Sequence, residues 1–490
     1  MKEQFSSRWG LILSVLGIAI GTGNIWRFPR IAAQNAGAEG AGAFLFAWLV
    51  FLFMWSIPLI IAEYAIGKSS KRSLVTAFGV QIGQKYNWMG SFVGFVAIAI
   101  MFYYSVVTGW CLYYLGQSLF FPLPDNIIHA KQIWGDFQSS AWPVFFHFVA
   151  IAGCGVIVMR GIKSIEKVNK FLIPILVLIL VISLIRALTL PDALEGVRYL
   201  FTPDWQTLKN PSIWLEALTQ NAWDTGAGWG LILTYAIYMK KTDTITSSAF
   251  QTGIGNNLVS ITAAIIIFST VFSILGAQYS QSEVLSIMKD SGPASTGLTF
   301  MWMPQLFSKM PGGNVFAILF FLGLSFAAFS SLISMVELAT TMAKEIGIDR
   351  KQAVIGVTIV GFLAGIPSAT NLDFFANQDF VWGLGLMISG AFIAFVVIKH
   401  DVLSFRTNKI HSEYTTDKLG KWWDWLIQFI IPIEAMILLT WWMYRSAVEF
   451  SPDSWYNPFD PFSVASCIAQ WGLLMFGLVW MHKKLEKNRT

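Results

Sequence analysis

Residues 9–36 form an apolar stretch long enough to cross a bilayer, yet its centre, GIAIGTGNIWRF at 17–28, is broken by glycines and carries an asparagine and an arginine. An unbroken membrane helix satisfies its own backbone, so glycines and polar side chains at mid-depth require other partners. A second interruption, QNAWDTGAGWG at 220–230, places Asp224 inside another apolar segment. Carbonyls and amides freed at such breaks are suited to hold a small cation and a carboxylate. Two broken spans therefore predict a binding site inside a membrane bundle.

Hydrophobic residues make up 55% of the chain and charged residues 12%, about half the charge of a soluble protein. Apolar runs fall at 9–36, 42–67, 88–119, 143–159, 166–186, 212–239, 246–277, 313–343, 351–366, 378–398, 422–444 and 462–481. The expected fold is an all-α membrane protein, a single transmembrane domain over 1–490, with about 12 transmembrane helices. With the N-terminus inside, roughly 24 Lys and Arg fall in cytoplasmic segments and roughly 7 in outer ones. Lys68, Lys71, Arg72, Arg160, Lys163, Lys240, Lys241, Arg350, Lys351 and the HKKLEKNR tail carry this asymmetry. Both termini are therefore expected in the cytoplasm, for a multi-pass protein of the inner (plasma) membrane. The net charge of +5 reflects that distribution and predicts a lipid partner, not a nucleic acid. Cys111, Cys154 and Cys467 lie in predicted spans without metal or disulfide spacing. The first run lacks a small-residue cleavage site and is expected to stay as a span.

The larger outer segments are 120–142, 187–211 and 278–312. The last is amphipathic and rich in Gly and Pro, and reads either as a lid over the pore mouth or as a solvated loop. The interrupted spans are the first and the sixth. Each opens a five-helix unit, and an odd helix number inverts the second unit, the pattern of inverted repeats sharing a central site. The repeats are expected over 9–186 and 212–398, with the last two helices and the tail over 399–490.

GIAIGTGNIWRFP, the IPLIIAEYAIG end of the second span, the Tyr-Tyr pair of the third and FAAFSSLISM of the eighth resemble the neurotransmitter:sodium symporter family, with its LeuT-type fold. The resemblance runs through the first ten spans. It implies a sodium-coupled symporter importing an amino acid by alternating access, and bacterial members of this size are typically amino-acid transporters. The inverted-repeat reading draws on the same family knowledge.

For the substrate, the resemblance implies that amides at Thr22 and Gly23, on a half-helix N-terminus, meet a carboxylate together with the Tyr104 hydroxyl. Ala19, Trp223 and Ser331 align with positions that receive the ammonium or close the site. Ile100, Gly226, Trp229 and Met335 align with the side-chain pocket. Two indoles, a methionine and no charge predict a neutral, hydrophobic or aromatic L-amino acid. One sodium site is implied at the carbonyls of Gly17, Ile20 and Ala327 with the Ser330 and Ser331 hydroxyls, although serines in membrane helices also bond back to their own carbonyls. The other is implied at Ala19, Asn24, Asp224 and Asn256, with the substrate carboxylate.

Asp224 departs from better-known members, which carry a hydroxyl there. A buried carboxylate is costly unless paired or neutralised, so Asp224 is expected to be a direct or near ligand of sodium, and to exchange it for a proton on the return step. Chloride-dependent relatives hold an anion nearby with Tyr, Gln and Ser. Here Gln220 and Ser260 remain, but Trp48 replaces the tyrosine. Asp224 is expected to supply the charge, making transport independent of chloride.

Arg27 matches the outer-gate arginine, with Asp379 as partner and Asp373 as the alternative; Trp223 would plug the site beneath. Lys2 and Glu345 match the cytoplasmic pair, with Lys in place of Arg, which lacks the bidentate fork. Glu63 is expected to bond the unwound backbone of the sixth span. Rival classes find less support. A sensor of the same fold would need a cytoplasmic effector domain, a channel a continuous polar stripe, and an enzyme a motif such as HExxH or GxSxG. None is seen. Oligomeric state is not legible.

Overall fold

The computed structural model describes residues 3–289, 296–411 and 418–487. Ten of its helices are long and apolar enough to cross a membrane, from Gly42–Ser70 to Val464–His482. An eleventh span is the bent pair Arg8–Ala19 and Gly23–Gln34, whose halves meet at 50°. The sixth predicted span is shorter on both sides of its break, Pro211–Asp224 and Leu231–Ala236. Eleven of the twelve expected spans are thus present among the described residues by length and composition, and the two short helices follow in the place of the sixth.

Local chemistry explains both breaks. Ser7 opens the first span by accepting from the Gly10 amide at 3.0 Å, and the helix leaves its track at Ile20, where ψ reaches 87°. The Gly21 amide then turns back to Ala19 O at 3.0 Å and to Asn24 Oδ1 at 2.8 Å. It no longer serves Gly17 O, the acceptor one helical turn earlier. In the sixth span, Gly226, Gly228 and Gly230 take φ of 70°, 88° and 76°, a region where glycine carries no Cβ penalty. The loosened amides of Gly228 and Leu233 donate to Glu63 at 2.7 and 3.1 Å, the role expected of that residue. A buried carboxylate is thereby satisfied by backbone, as an apolar medium demands.

The described parts of segment 278–312, expected on the outer side, fold over the helices. Helical turns at Gly297–Trp302 and Met303–Ser308 bury Leu298, Phe300, Met301 and Leu306. Phe300 meets the edge of Trp26 at 5.6 Å and stacks on Trp134 at 5.7 Å. The lid alternative therefore describes this segment better than the solvated loop, with residues 290–295 outside the described ones. The three cysteines are buried and unbridged, as small apolar residues.

Candidate functional site

A cavity of about 170 Å³ sits between the two breaks, lined by Ala19, Thr22, Gly23, Tyr104, Trp223, Asp224, Gly226, Trp229, Ser331 and Met335. These are ten of the eleven residues expected around a substrate. The exception is Ile100, which is fully buried and does not reach the wall; Tyr104, one turn further along the same helix, reaches it instead. Sequence reasoning missed Gly21, Trp26, Tyr103, Val107, Leu231 and Phe375, which also line the space. Most are ordinary apolar residues whose direction only packing decides.

One end of the cavity is polar. The Thr22 amide and hydroxyl donate to the Tyr104 hydroxyl at 3.1 and 3.2 Å. Gly21 permits this approach, since a Cβ there would lie 3.1 Å from both Tyr104 Oη and Ser331 Oγ. The other end is aromatic. Trp223 and Trp229 meet edge to face at 5.6 Å, and the Trp223 ring fits only because position 383 is glycine, where a Cβ would lie 2.3 Å from it.

Oxygens gather at two places beside the cavity. At the first, the Asn24 amide is oriented by its own bonds: Oδ1 accepts from Gly21 N at 2.8 Å, so Nδ2 must donate to Asn256 Oδ1 and Ser260 Oγ, both at 2.7 Å. Asn256 Oδ1 then also stands 3.0 Å from Ala19 O and 2.8 Å from Asp224 O. Rotating the Asn256 amide would let it donate to both carbonyls but would set its nitrogen against Asn24 Nδ2, donor to donor. The Ala19 and Asp224 carbonyls, one from each broken span, thus converge on the Asn256 side-chain amide, and backbone carbonyls of this kind suit a hard cation. The Asp224 carboxylate, 5% exposed, has Oδ2 at 3.4 Å from Ser260 Oγ and Gln220, Trp48 and Asn256 within reach. Asp224 thus offers its backbone carbonyl to the oxygen cluster and its side chain to the pocket of Ser260, Gln220 and Trp48.

At the second place, Ser331 Oγ bonds Gly17 O and Ile18 O, each at 3.2 Å. These are carbonyls left over by the first break. Ser330 Cβ would stand 3.1 Å from a Cβ on Gly17, so the eighth span presses directly on the first. Ser330 Oγ bonds back to Ala327 O at 2.9 Å, the helix-internal alternative anticipated for adjacent serines, while Ser331 reaches across. Gly17, Ala327, Ser330 and Ser331 are brought together, and Ile20 sits at the adjoining turn.

Charges guard the two ends unequally. Arg27 and Asp379 line the same cavity, which selects Asp379 over the exposed Asp373. No ion pair joins them among the described residues. The Arg27 guanidinium instead lies over the Trp223 ring at 4.7 Å. At the opposite end Lys2 lies outside the described residues, and Glu345 accepts from Ser73 N at 3.0 Å and Thr76 Oγ1 at 2.6 Å. The ion pair there is Arg350–Glu337 at 2.5 Å, with Glu3 at 3.9 Å and the Tyr238 hydroxyl donating to Glu337 at 2.5 Å. Glu337 escaped the sequence reading. Its signal was available, since a lone acid inside an apolar span requires a partner.

The sequence pattern described as the Sodium:neurotransmitter symporter family matches residues 2–136 and 125–485, nearly the whole chain. The chain belongs to this family. It is thus a sodium-dependent, multi-pass membrane symporter of small molecules, and a transporter, not an enzyme. An uncharacterized sodium-dependent transporter of Methanocaldococcus jannaschii is 31% identical over 452 residues, covering 88% of each chain. The uncharacterized sodium-dependent transporter YhdH of Bacillus subtilis is 29% identical over 466 residues, 89% of this chain and 96% of its own. The symporter also resembles the crystal structure of MhsT in complex with L-phenylalanine, with a TM-score of 0.77, 29% identity, and coverage of 90% of this chain and 99% of the other.

Proposed function

We propose that this symporter imports a neutral, hydrophobic or aromatic L-amino acid across the inner (plasma) membrane, with both termini in the cytoplasm, coupled to two sodium ions. The observation that carries this reading is the cavity between the two breaks, with Trp223, Trp229 and Met335 on its wall, beside the Ala19 and Asp224 carbonyls that both lie within 3.0 Å of the Asn256 side-chain amide. The carboxylate of the amino acid would displace Tyr104 from Thr22 and share both donors; its ammonium would meet the freed carbonyls of the first span. Trp223, Trp229, Gly226 and Met335 would hold the side chain by area burial. L-Phenylalanine bound to MhsT supports an aromatic or aliphatic side chain of that class.

Sodium at Ala19, Asn256 and Asp224 would link the two broken spans, with Asn24 orienting Asn256 through its Nδ2 and not ligating as expected, and sodium at Gly17, Ile20, Ala327, Ser330 and Ser331 would link the first span to the eighth. Ligands that order the same elements favour the same state, which is the physical basis of coupling. The negative charge that other members take from chloride would come from Asp224, so transport would not require chloride. The first, second, sixth and seventh spans are the expected unit that rocks against the third, fourth, eighth and ninth, so each half of the motion draws helices from both repeats 9–186 and 212–398.

The test is uptake of a mixed amino-acid pool into proteoliposomes under an imposed sodium gradient, against a potassium control, with chloride replaced by gluconate in a parallel series. Selective depletion with sodium in both anions is expected. Uptake indifferent to sodium would overturn the ion sites, and loss of uptake in gluconate would overturn the role of Asp224. Sodium-dependent binding without uptake would point to a sensor.

A further inference from the structure

The eleventh span lies outside the two expected repeats, yet it holds the broken sixth span at two points. Arg445, the last residue of helix Ile431–Arg445, pairs through Nη1 with Glu216 of helix Pro211–Asp224. Its Nε donates to Glu449 at 2.7 Å, and its guanidinium lies 5.2 Å from the Trp442 ring and 4.9 Å from that of Phe450. One turn earlier, Trp442 Nε1 donates to Thr219 Oγ1 at 3.0 Å. The Thr219 hydroxyl gives its own proton to Leu215 O at 2.7 Å, which leaves its lone pairs for the indole. Trp442 also meets the edge of Phe380, the neighbour of Asp379, at 6.3 Å.

The gripped helix is short, 14 residues, and Gly226, Gly228 and Gly230 with positive φ follow it. No helical continuation stiffens its end, so its tilt is set by what holds its sides. Glu216, Thr219 and Trp223 share one face, three and seven positions apart. Trp223 lines the cavity between the breaks and also a second cavity of about 610 Å³ at the Arg27 end, whose wall includes Glu216, Thr219, Trp442 and Arg445. Its indole therefore stands where the two cavities meet. The Arg445 and Glu216 side chains are 21% and 15% exposed, and removing one partner of such a desolvated pair strands the other charge. Glu216 also lies within electrostatic reach of Arg27 and Arg30, so the pair belongs to the charges of that end.

We propose that Arg445 and Trp442 are positioning residues: by holding Glu216 and Thr219 they fix the tilt of helix Pro211–Asp224 and keep Trp223 across the mouth of the cavity between the breaks. The eleventh span thereby sets how tightly that cavity is closed from the Arg27 end. It acts through Trp223 and does not touch the transported molecule. The choice of an amino acid as probe rests on the function proposed above; the closure itself does not.

Two readouts on the full chain in detergent test this. Val107 lines the cavity between the breaks and not the wider one, and the native cysteines are buried. Val107→Cys therefore reports passage of a hydrophilic maleimide past Trp223. Glu216→Gln and Arg445→Gln are each expected to speed its labelling about fivefold, and to raise the L-phenylalanine concentration for half-maximal binding by a similar factor. The double variant strands no charge and is expected to be no worse than either single one; effects that multiply would overturn the proposal. With Trp223→Leu already present, Glu216→Gln is expected to add nothing, because its effect passes through the indole. A further fivefold there would overturn it, as would a fall in thermal stability alone, with labelling and binding unchanged. If the unaltered protein binds no L-phenylalanine, the substrate reading fails, and the labelling still decides the proposal. Should Arg445→Gln not fold, Arg445→Lys keeps the charge without the fork and is expected to label about twofold faster than the unaltered protein; an unchanged rate would overturn the role of Arg445.

Discussion

The two ends of this transporter close by different means. At the end where the chain begins, Glu337 is fully buried and holds Arg350 at 2.5 Å, with Tyr238 donating to the same carboxylate. At the other end Arg27 and Asp379 face one cavity without an ion pair, and Arg27 rests on the Trp223 ring at 4.7 Å. A desolvated ion pair is strong only when its geometry is complete, and breaking it strands a charge. A cation over an indole is weaker and tolerates sliding. The first arrangement acts as a lock, and the second as a lid with a charge pair held in reserve. In this conformation the Arg350 end carries a formed ion pair and the Arg27 end a cation–π contact in place of one.

The lock offers the largest test of that contrast. Glu337→Gln leaves the Arg350 guanidinium without its buried anion and is expected to destabilise the closed Arg350 end by about 3 kcal/mol. A cysteine placed at Thr341 should then react with a hydrophilic maleimide much faster from that side, while uptake falls. Unchanged labelling would show that the lock is ornamental. The lid gives a smaller effect: Trp223→Leu removes the cation–π contact, worth about 1 kcal/mol. It should raise the amino-acid concentration for half-maximal binding more than it changes sodium binding. Equal losses in both would place Trp223 in the scaffold.

The smallest effect concerns Glu345, whose carboxylate accepts from Ser73 N and Thr76 Oγ1 at the start of helix Leu74–Ile82. Thr76→Val is expected to cost about 1 kcal/mol, in the range of a lost helix-end bond, seen as a modest fall in thermal stability with uptake retained. A loss of uptake as large as that of Glu337→Gln would make Glu345 part of the lock, and the two ends would then differ less than the geometry implies.

Much of this molecule was legible in its sequence. Apolar length located the ten unbroken spans, because a bilayer fixes how many residues each crossing takes. Glycines and buried polar residues marked the two breaks, because a backbone in lipid has no other donor or acceptor to turn to. Glu63 was assigned to the sixth span on the same argument, and it accepts from Gly228 and Leu233 there. These features follow from local chemistry, and local chemistry is written residue by residue.

Direction and pairing were decided only by the tertiary structure. Ile100 and Tyr104 lie one turn apart on a uniformly apolar helix, and nothing in their spacing tells which one reaches the cavity. Glu337 could be flagged as needing a cation, but Arg350, thirteen positions on, is its partner because two spans pack side by side. Asn169 reads as one more polar residue in EKVNK at 166–170 until Gly17 is set against it. The sequence determined where a membrane would force the backbone to seek partners. Which partners it found depended on the approach of distant spans, and that is set by packing over the whole bundle.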